Sequence, residues 1–85
     1  MKHVEIYTGP LCAFCDRAKA LLNKKGVSFK EIDLASDPNK MEEMIKKTNG
    51  MRTVPQIFIN GQHIGGNDKL QALENEGKLN SLLGI

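Results

Sequence analysis

A strand, a helix and a second strand follow one another between Val4 and Ile32, and that spacing leaves few folds open. Val4-Glu5-Ile6-Tyr7 alternates apolar and polar residues, as a half-buried strand does. Thr8-Gly9-Pro10-Leu11 reads as a loop, broken at Gly9-Pro10. From Cys12 to Lys25 the period becomes helical: Cys15, Ala18 and Leu22 share one face, while Asp16, Arg17 and Asn23 lie away from it. Lys24 and Lys25 suit the negative end of that helix, and Gly26 suits the cap just beyond it. Val27-Ser28-Phe29-Lys30-Glu31-Ile32 is then the returning strand. Such a unit runs parallel with a right-handed crossover.

The second half adds an antiparallel pair. Ser36-Asp37-Pro38 predicts a helix with Asp37 as N-cap and Pro38 at the first helical position. Met41, Met44, Ile45 and Thr48 form its buried face, and Asn49-Gly50 ends it. Asn60-Gly61, between Gln56-Ile57-Phe58-Ile59 and Gln62-His63-Ile64, is a two-residue hairpin turn, because both central positions need positive φ. Gly65-Gly66 breaks the strand. Asn67 or Asp68 caps a last helical segment carrying Leu70 and Leu73, which Gly77 interrupts before Leu79, Leu82 and Leu83. The order β-α-β-α-β-β-α predicts an α/β fold: a four-stranded mixed sheet flanked by helices, in one domain over residues 1–85.

Both of the two cysteines fall in Cys12-Ala13-Phe14-Cys15, where strand and loop meet the helix. Free backbone N–H groups and the helix dipole stabilise an anion at such a terminus, so the first thiol ionises more readily. The thiolate is the attacking species in disulfide exchange, and Cys15 lies one turn on, within reach of Cys12. Arg17 and Lys19 add positive charge nearby, or are simply solvated. Other readings of the pair remain open. A zinc site would need His3 and His63 as further ligands, at no finger-like spacing, and covalent haem would need His where Asp16 stands. An inert core pair is a further reading.

Thr53-Val54-Pro55 precedes a strand, where a proline without an N–H belongs; it either only opens the strand or forms a cis bond presenting the Val54 backbone to an extended ligand. Gly65-Gly66-Asn67-Asp68 is a turn into a helix that can also receive a carboxylate. A net charge of +2 argues against nucleic acid as the main partner. No run approaches the ~18 apolar residues of a membrane span. Met1-Lys2-His3-Val4-Glu5 lacks the apolar stretch of a signal peptide, so a cytoplasmic location is expected.

Together the residues resemble the glutaredoxin family. The matching pieces are Tyr7-Thr8, Cys12-x-x-Cys15, Lys19, Thr53-Val54-Pro55-Gln56-Ile57-Phe58-Ile59, and Gly65-Gly66 followed by Asp68, in family order over nearly the whole chain. The resemblance implies a thioredoxin-like fold, with Cys12 as nucleophile and Cys15 as resolving thiol. It implies a glutathione groove made by Phe14, Thr53, Val54, a cis Pro55, Gly66, Asn67 and Asp68, in which the Val54 backbone pairs with the glutathione cysteinyl residue and Asn67 and Asp68 hold the γ-glutamyl end. The implied activity is reduction of protein disulfides and protein–glutathione mixed disulfides, with ribonucleotide reductase among the partners expected at family level, by a protein that is mainly monomeric.

Three departures from the family pattern stand out. Ala13-Phe14 replaces Pro-Tyr, Gly9 replaces a lysine, and Lys69 replaces an acidic residue. Two alternative functions stand beside the first. One is a redoxin reduced by thioredoxin reductase. The other is a [2Fe–2S] carrier in which Cys12 and a glutathione thiolate from each of two protomers supply four ligands.

Overall fold

A computed structural model describes residues 2–85. The elements run β1 (Val4–Thr8), α1 (Ala13–Lys24), β2 (Lys30–Asp33), α2 (Lys40–Lys47), β3 (Gln56–Ile59), β4 (Gln62–Gly65), α3 (Asn67–Asn75) and α4 (Leu79–Leu83). The strands form one sheet in the order β2-β1-β3-β4. β1 and β2 are parallel, with Tyr7 opposite Ile32; β3 is antiparallel to both β1 and β4. This is the four-stranded mixed sheet that the strand–helix–strand unit and the Asn60-Gly61 turn predict, and Asn60 and Gly61 both take positive φ.

Strand alternation divides the core. Val4, Ile6, Ile57 and Ile59 face Ala18, Leu21 and Leu22 of α1, Leu70 of α3, and Leu79 and Leu83 of α4. Tyr7 and Phe58 point to the other side, where Ile32, Leu34 and Met44 of α2 cover them. Each fully buried aliphatic side chain contributes about 1.5–3 kcal/mol of transfer free energy. Met44 is therefore core, with Met41 packed against the same cluster. On this second face the Tyr7 hydroxyl donates to Glu43 and receives a bond from the Lys47 ammonium at 3.2 Å. Burial first, then the bond to Glu43, holds the Tyr7 phenol well above its usual range.

Several boundaries differ from the sequence expectation, among them those of β2, α2 and α3. β2 begins at Lys30 and not at Val27, because Val27 belongs to the end of α1. The Val27 N–H bonds the Leu22 carbonyl at 3.1 Å and the Gly26 N–H bonds the Asn23 carbonyl at 3.0 Å, which is a Schellman cap with Gly26 at φ 71. α2 begins at Lys40, with Asn39 and not Asp37 at the N-cap. The bonds Lys40 N–H to Asp37 and Met41 N–H to Pro38, both 3.1 Å, span three residues, so the chain enters α2 through a tighter turn. At α3 the cap is Gly66, and Asn67 and Asp68 are the first two helical residues.

Candidate active site

Cys12 is the N-cap of α1 in an extended conformation, φ −110 and ψ 99. Its Sγ accepts the Cys15 N–H at 3.1 Å, so the sulfur takes up one of the free donors of the first helical turn. Cys12 and Cys15 are disulfide-linked, with Cα atoms 5.2 Å apart, inside the range a disulfide spans. Cys12 is half-buried, whereas Cys15 is 1% exposed. The first sulfur can be approached from solvent and the second cannot, and the pair can store or release two electrons.

The Cys12 Sγ lies 3.8 Å from the Val54 carbonyl oxygen, 42 residues along the chain. The Val54–Pro55 bond is cis, as the functional reading of that proline expects. Beside it runs a groove of about 340 Å³ lined by Phe14, Thr53, Val54, Pro55, Gly66, Asn67 and Asp68. Three stretches separated in sequence therefore meet: the first turn of α1, the entrance to β3, and the first turn of α3. Gly66 keeps a close approach open, since a Cβ there would stand 3.3 Å from both the Pro55 carbonyl oxygen and the Asp68 carboxylate, tighter than ordinary contact. Asn67 is buried and its Oδ1 accepts the Gln71 amide at 3.2 Å. A Cβ at Gly9 would meet a Val54 methyl at 3.2 Å, so that loop backs onto the groove wall.

The expected supporting charges are placed differently from one another. Arg17 sits over the Phe14 ring, 5.4 Å from its centroid, at the rim of the groove. Lys19 is engaged elsewhere: its ammonium is 3.1 Å from Glu31 and 3.9 Å from Asp16. Thr8 donates to the same Glu31 oxygen at 2.7 Å. That hydrogen bond first, then the one from Lys19, holds the Glu31 carboxyl below its usual range. Lys19 thus ties α1 to β2 and is not free to serve Cys12.

Two residues at the site were not singled out by the sequence. Leu11, immediately before Cys12, is fully exposed and left-handed, φ 52. Gln56 is a buried amide at the head of β3, bonded to Thr53. Its signals in the sequence are its place in the family-matching stretch Thr53–Ile59 and a polar residue opening an otherwise apolar strand; neither gives it a role. His3 stands at the surface, 3.5 Å from Glu5, and His63 bonds Gln56. No group of three or more metal-ligating side chains gathers among the described residues. With Cys15 buried, one chain offers a single accessible thiolate, so a cluster would depend on a second chain and on external thiols. Among the described residues, no helix is long and apolar enough to cross a membrane.

The glutaredoxin family model matches residues 4–64. Glutaredoxin 3 of Escherichia coli K12 is 57% identical over 83 residues, covering 98% of this chain and 99% of that protein. The solution structure of glutaredoxin from Brucella melitensis is 53% identical, with a TM-score of 0.83, and the match covers 98% of this chain and 89% of that one. The buckwheat glutaredoxin–glutathione complex is 29% identical with a TM-score of 0.89, covering 98% and 77%. Sheet order, the cysteine pair at a helix start, and identity along nearly the full length agree: this chain belongs to the glutaredoxin family, the thioredoxin-like thiol–disulfide oxidoreductases.

Proposed function

We propose that the protein is a glutathione-dependent oxidoreductase that reduces protein–glutathione mixed disulfides and protein disulfides through Cys12. The observation that carries this reading is the groove beside the Cys12–Val54 contact, whose lining is the residue set that the family resemblance implies for glutathione. The buckwheat relative's complex with glutathione supports it.

On a mixed disulfide, the Cys12 thiolate attacks the glutathione sulfur. A Cys12–glutathione disulfide forms and the protein thiolate leaves. A second glutathione thiolate then attacks the glutathione sulfur on Cys12, giving glutathione disulfide and restoring Cys12. On a protein disulfide, Cys12 forms a mixed disulfide with one target sulfur. Cys15 then attacks the Cys12 sulfur, releasing the reduced target and leaving the Cys12–Cys15 disulfide, which two glutathiones reduce. In the groove, the Val54 backbone pairs with the glutathione cysteinyl residue, and Asn67 and Asp68 hold the γ-glutamyl end.

The proposed working form is mainly a monomer, with a single glutaredoxin domain over residues 1–85. The proposed partners are glutathionylated proteins and enzymes that cycle through a disulfide, ribonucleotide reductase among them. A reactive dithiol of this kind suits the reducing cytoplasm.

The test is turnover with glutathione on two substrates, a glutathionylated peptide and a protein disulfide. Cys12→Ser should abolish both activities. Cys15→Ser should keep the first and largely lose the second. Equal loss of both in Cys15→Ser refutes the single-thiol route, and faster turnover with thioredoxin reductase than with glutathione refutes glutathione dependence.

A further inference from the structure

Gln56 sits on the α2 side of the sheet with Phe58, two residues on, and is 1% exposed. Its amide is fixed at both ends. The Nε2 donates to the Thr53 carbonyl at 3.0 Å and reaches the Thr53 hydroxyl at 3.3 Å. A backbone carbonyl only accepts, so the nitrogen must face Thr53 and the Oε1 must face the other way. There it lies 2.8 Å from His63 Nε2. The Oε1 also only accepts, so His63 donates through Nε2. His63 is the cross-strand partner of Phe58, and its ring lies against that phenyl at 5.0 Å between centroids.

These bonds point one way: His63 to Gln56, Gln56 to Thr53. Thr53 leads directly to Val54, whose carbonyl is the contact of the Cys12 sulfur. An apolar side chain at position 56 would serve the core without the desolvation cost of a buried amide. Neither of the amide's partners is its neighbour in the β1–β3 ladder: one bond reaches the approach to the groove at Thr53 and the other reaches β4 at His63. We propose that His63 and Gln56 are positioning residues that set the placement of Thr53-Val54-Pro55, and through it the affinity of the groove for the glutathionyl half of a substrate. This rests on the glutathione reading above.

The test compares His63→Phe, which keeps the ring against Phe58 and removes the donor, with Gln56→Leu. Two substrates share one peptide thiol, in disulfide linkage with glutathione or with cysteamine. Losing one bond of the chain should raise KM for the glutathionyl peptide by about three- to tenfold in His63→Phe, and more in Gln56→Leu. The rise should exceed that for the cysteamine disulfide at least threefold, and the pH profile of Cys12 alkylation should not move. A merely structural role would lower the melting temperature and the active fraction and leave KM alone. His63→Phe, at a half-buried position, decides the matter if Gln56→Leu does not fold. KM within twofold of wild type in His63→Phe, or an equal rise for both substrates, overturns the proposal. A wild type that does not prefer the glutathionyl peptide refutes the glutathione reading itself, a result distinct from unchanged variants.

Discussion

Gly66→Ala tests whether the groove wall is as tight as its geometry states. The backbone at Gly66, φ −90 and ψ −167, is extended and open to any residue, so the substitution brings no conformational strain. Its effect is steric. The new methyl stands 3.3 Å from the Pro55 carbonyl oxygen and 3.3 Å from the Asp68 carboxylate, a few tenths of an ångström inside ordinary contact. Asp68 can swing away, but Pro55 is backbone in a segment that Gln56 tethers through Thr53. Overpacking in tight sites costs about 1–3 kcal/mol, and one yielding wall places this case near the lower end. Alanine is also a poorer N-cap than glycine by a few tenths of a kcal/mol or more. The sum is about 1–2 kcal/mol, which lowers the melting temperature of a domain this size by roughly 5–15 °C. The same methyl enters the groove between Pro55 and Asp68. A loss of about 1.4 kcal/mol in binding is a tenfold rise in KM for a glutathionylated peptide. The assay is steady-state turnover of that peptide beside a thermal melt, with Cys12 alkylation as control. KM within twofold of wild type, with the protein folded, would refute the assignment of this wall to substrate binding.

Gly9→Ala should weaken glutathione binding slightly by pressing on the Val54 methyl 3.2 Å away. Gly9→Lys should recover the loss at low salt only, since an exposed ion pair contributes about 0–1 kcal/mol; titration calorimetry at two ionic strengths separates the terms. Cys12 in Cys15→Ser should alkylate well below the pH at which a free thiol of pKa ~8.5 does, because it caps α1 and accepts the Cys15-position N–H; an alkylation profile like that of free cysteine would remove this basis for its reactivity. Glu31 is held below its usual range by Thr8 first, so its stabilising contribution is complete above the ordinary carboxylate value and is lost as pH falls through the lower, folded one. Thr8→Val should therefore melt earlier at neutral pH, with the gap to wild type closing as the solution is acidified below about pH 4.

The succession of elements, the parallel first unit and the hairpin were legible, because periodicity and the Asn60-Gly61 turn are local signals; the order β2-β1-β3-β4 and the antiparallel β1–β3 pairing were not, because they join segments about fifty residues apart. Boundaries set by hydrogen bonds between neighbours were only partly legible. Val27 looks like a strand residue by composition, yet its N–H closes the helix on Leu22. Asp37-Pro38 is written as a helix start, and the chain turns there, but with bonds of shorter span. The groove residues could be named only through the family resemblance, since nothing local ties Val54 to Cys12. The Gln56 contacts and the left-handed Leu11 stayed hidden for the same reason: each depends on what the folded chain brings alongside.

The dependence of the groove on distant segments has a consequence for the life of the chain. Cys12 gains its capping position from α1, and its neighbour Val54 from the closed sheet, 42 residues away. In the unfolded chain there is no cradle for a substrate and no helix start beneath the sulfur, so Cys12 behaves as an ordinary cysteine. Chemical competence and foldedness therefore arrive together. An unfolded copy exchanges only as a free thiol does, so the rate at which Cys12 reacts below the free-thiol pH range gauges how much of the population is folded.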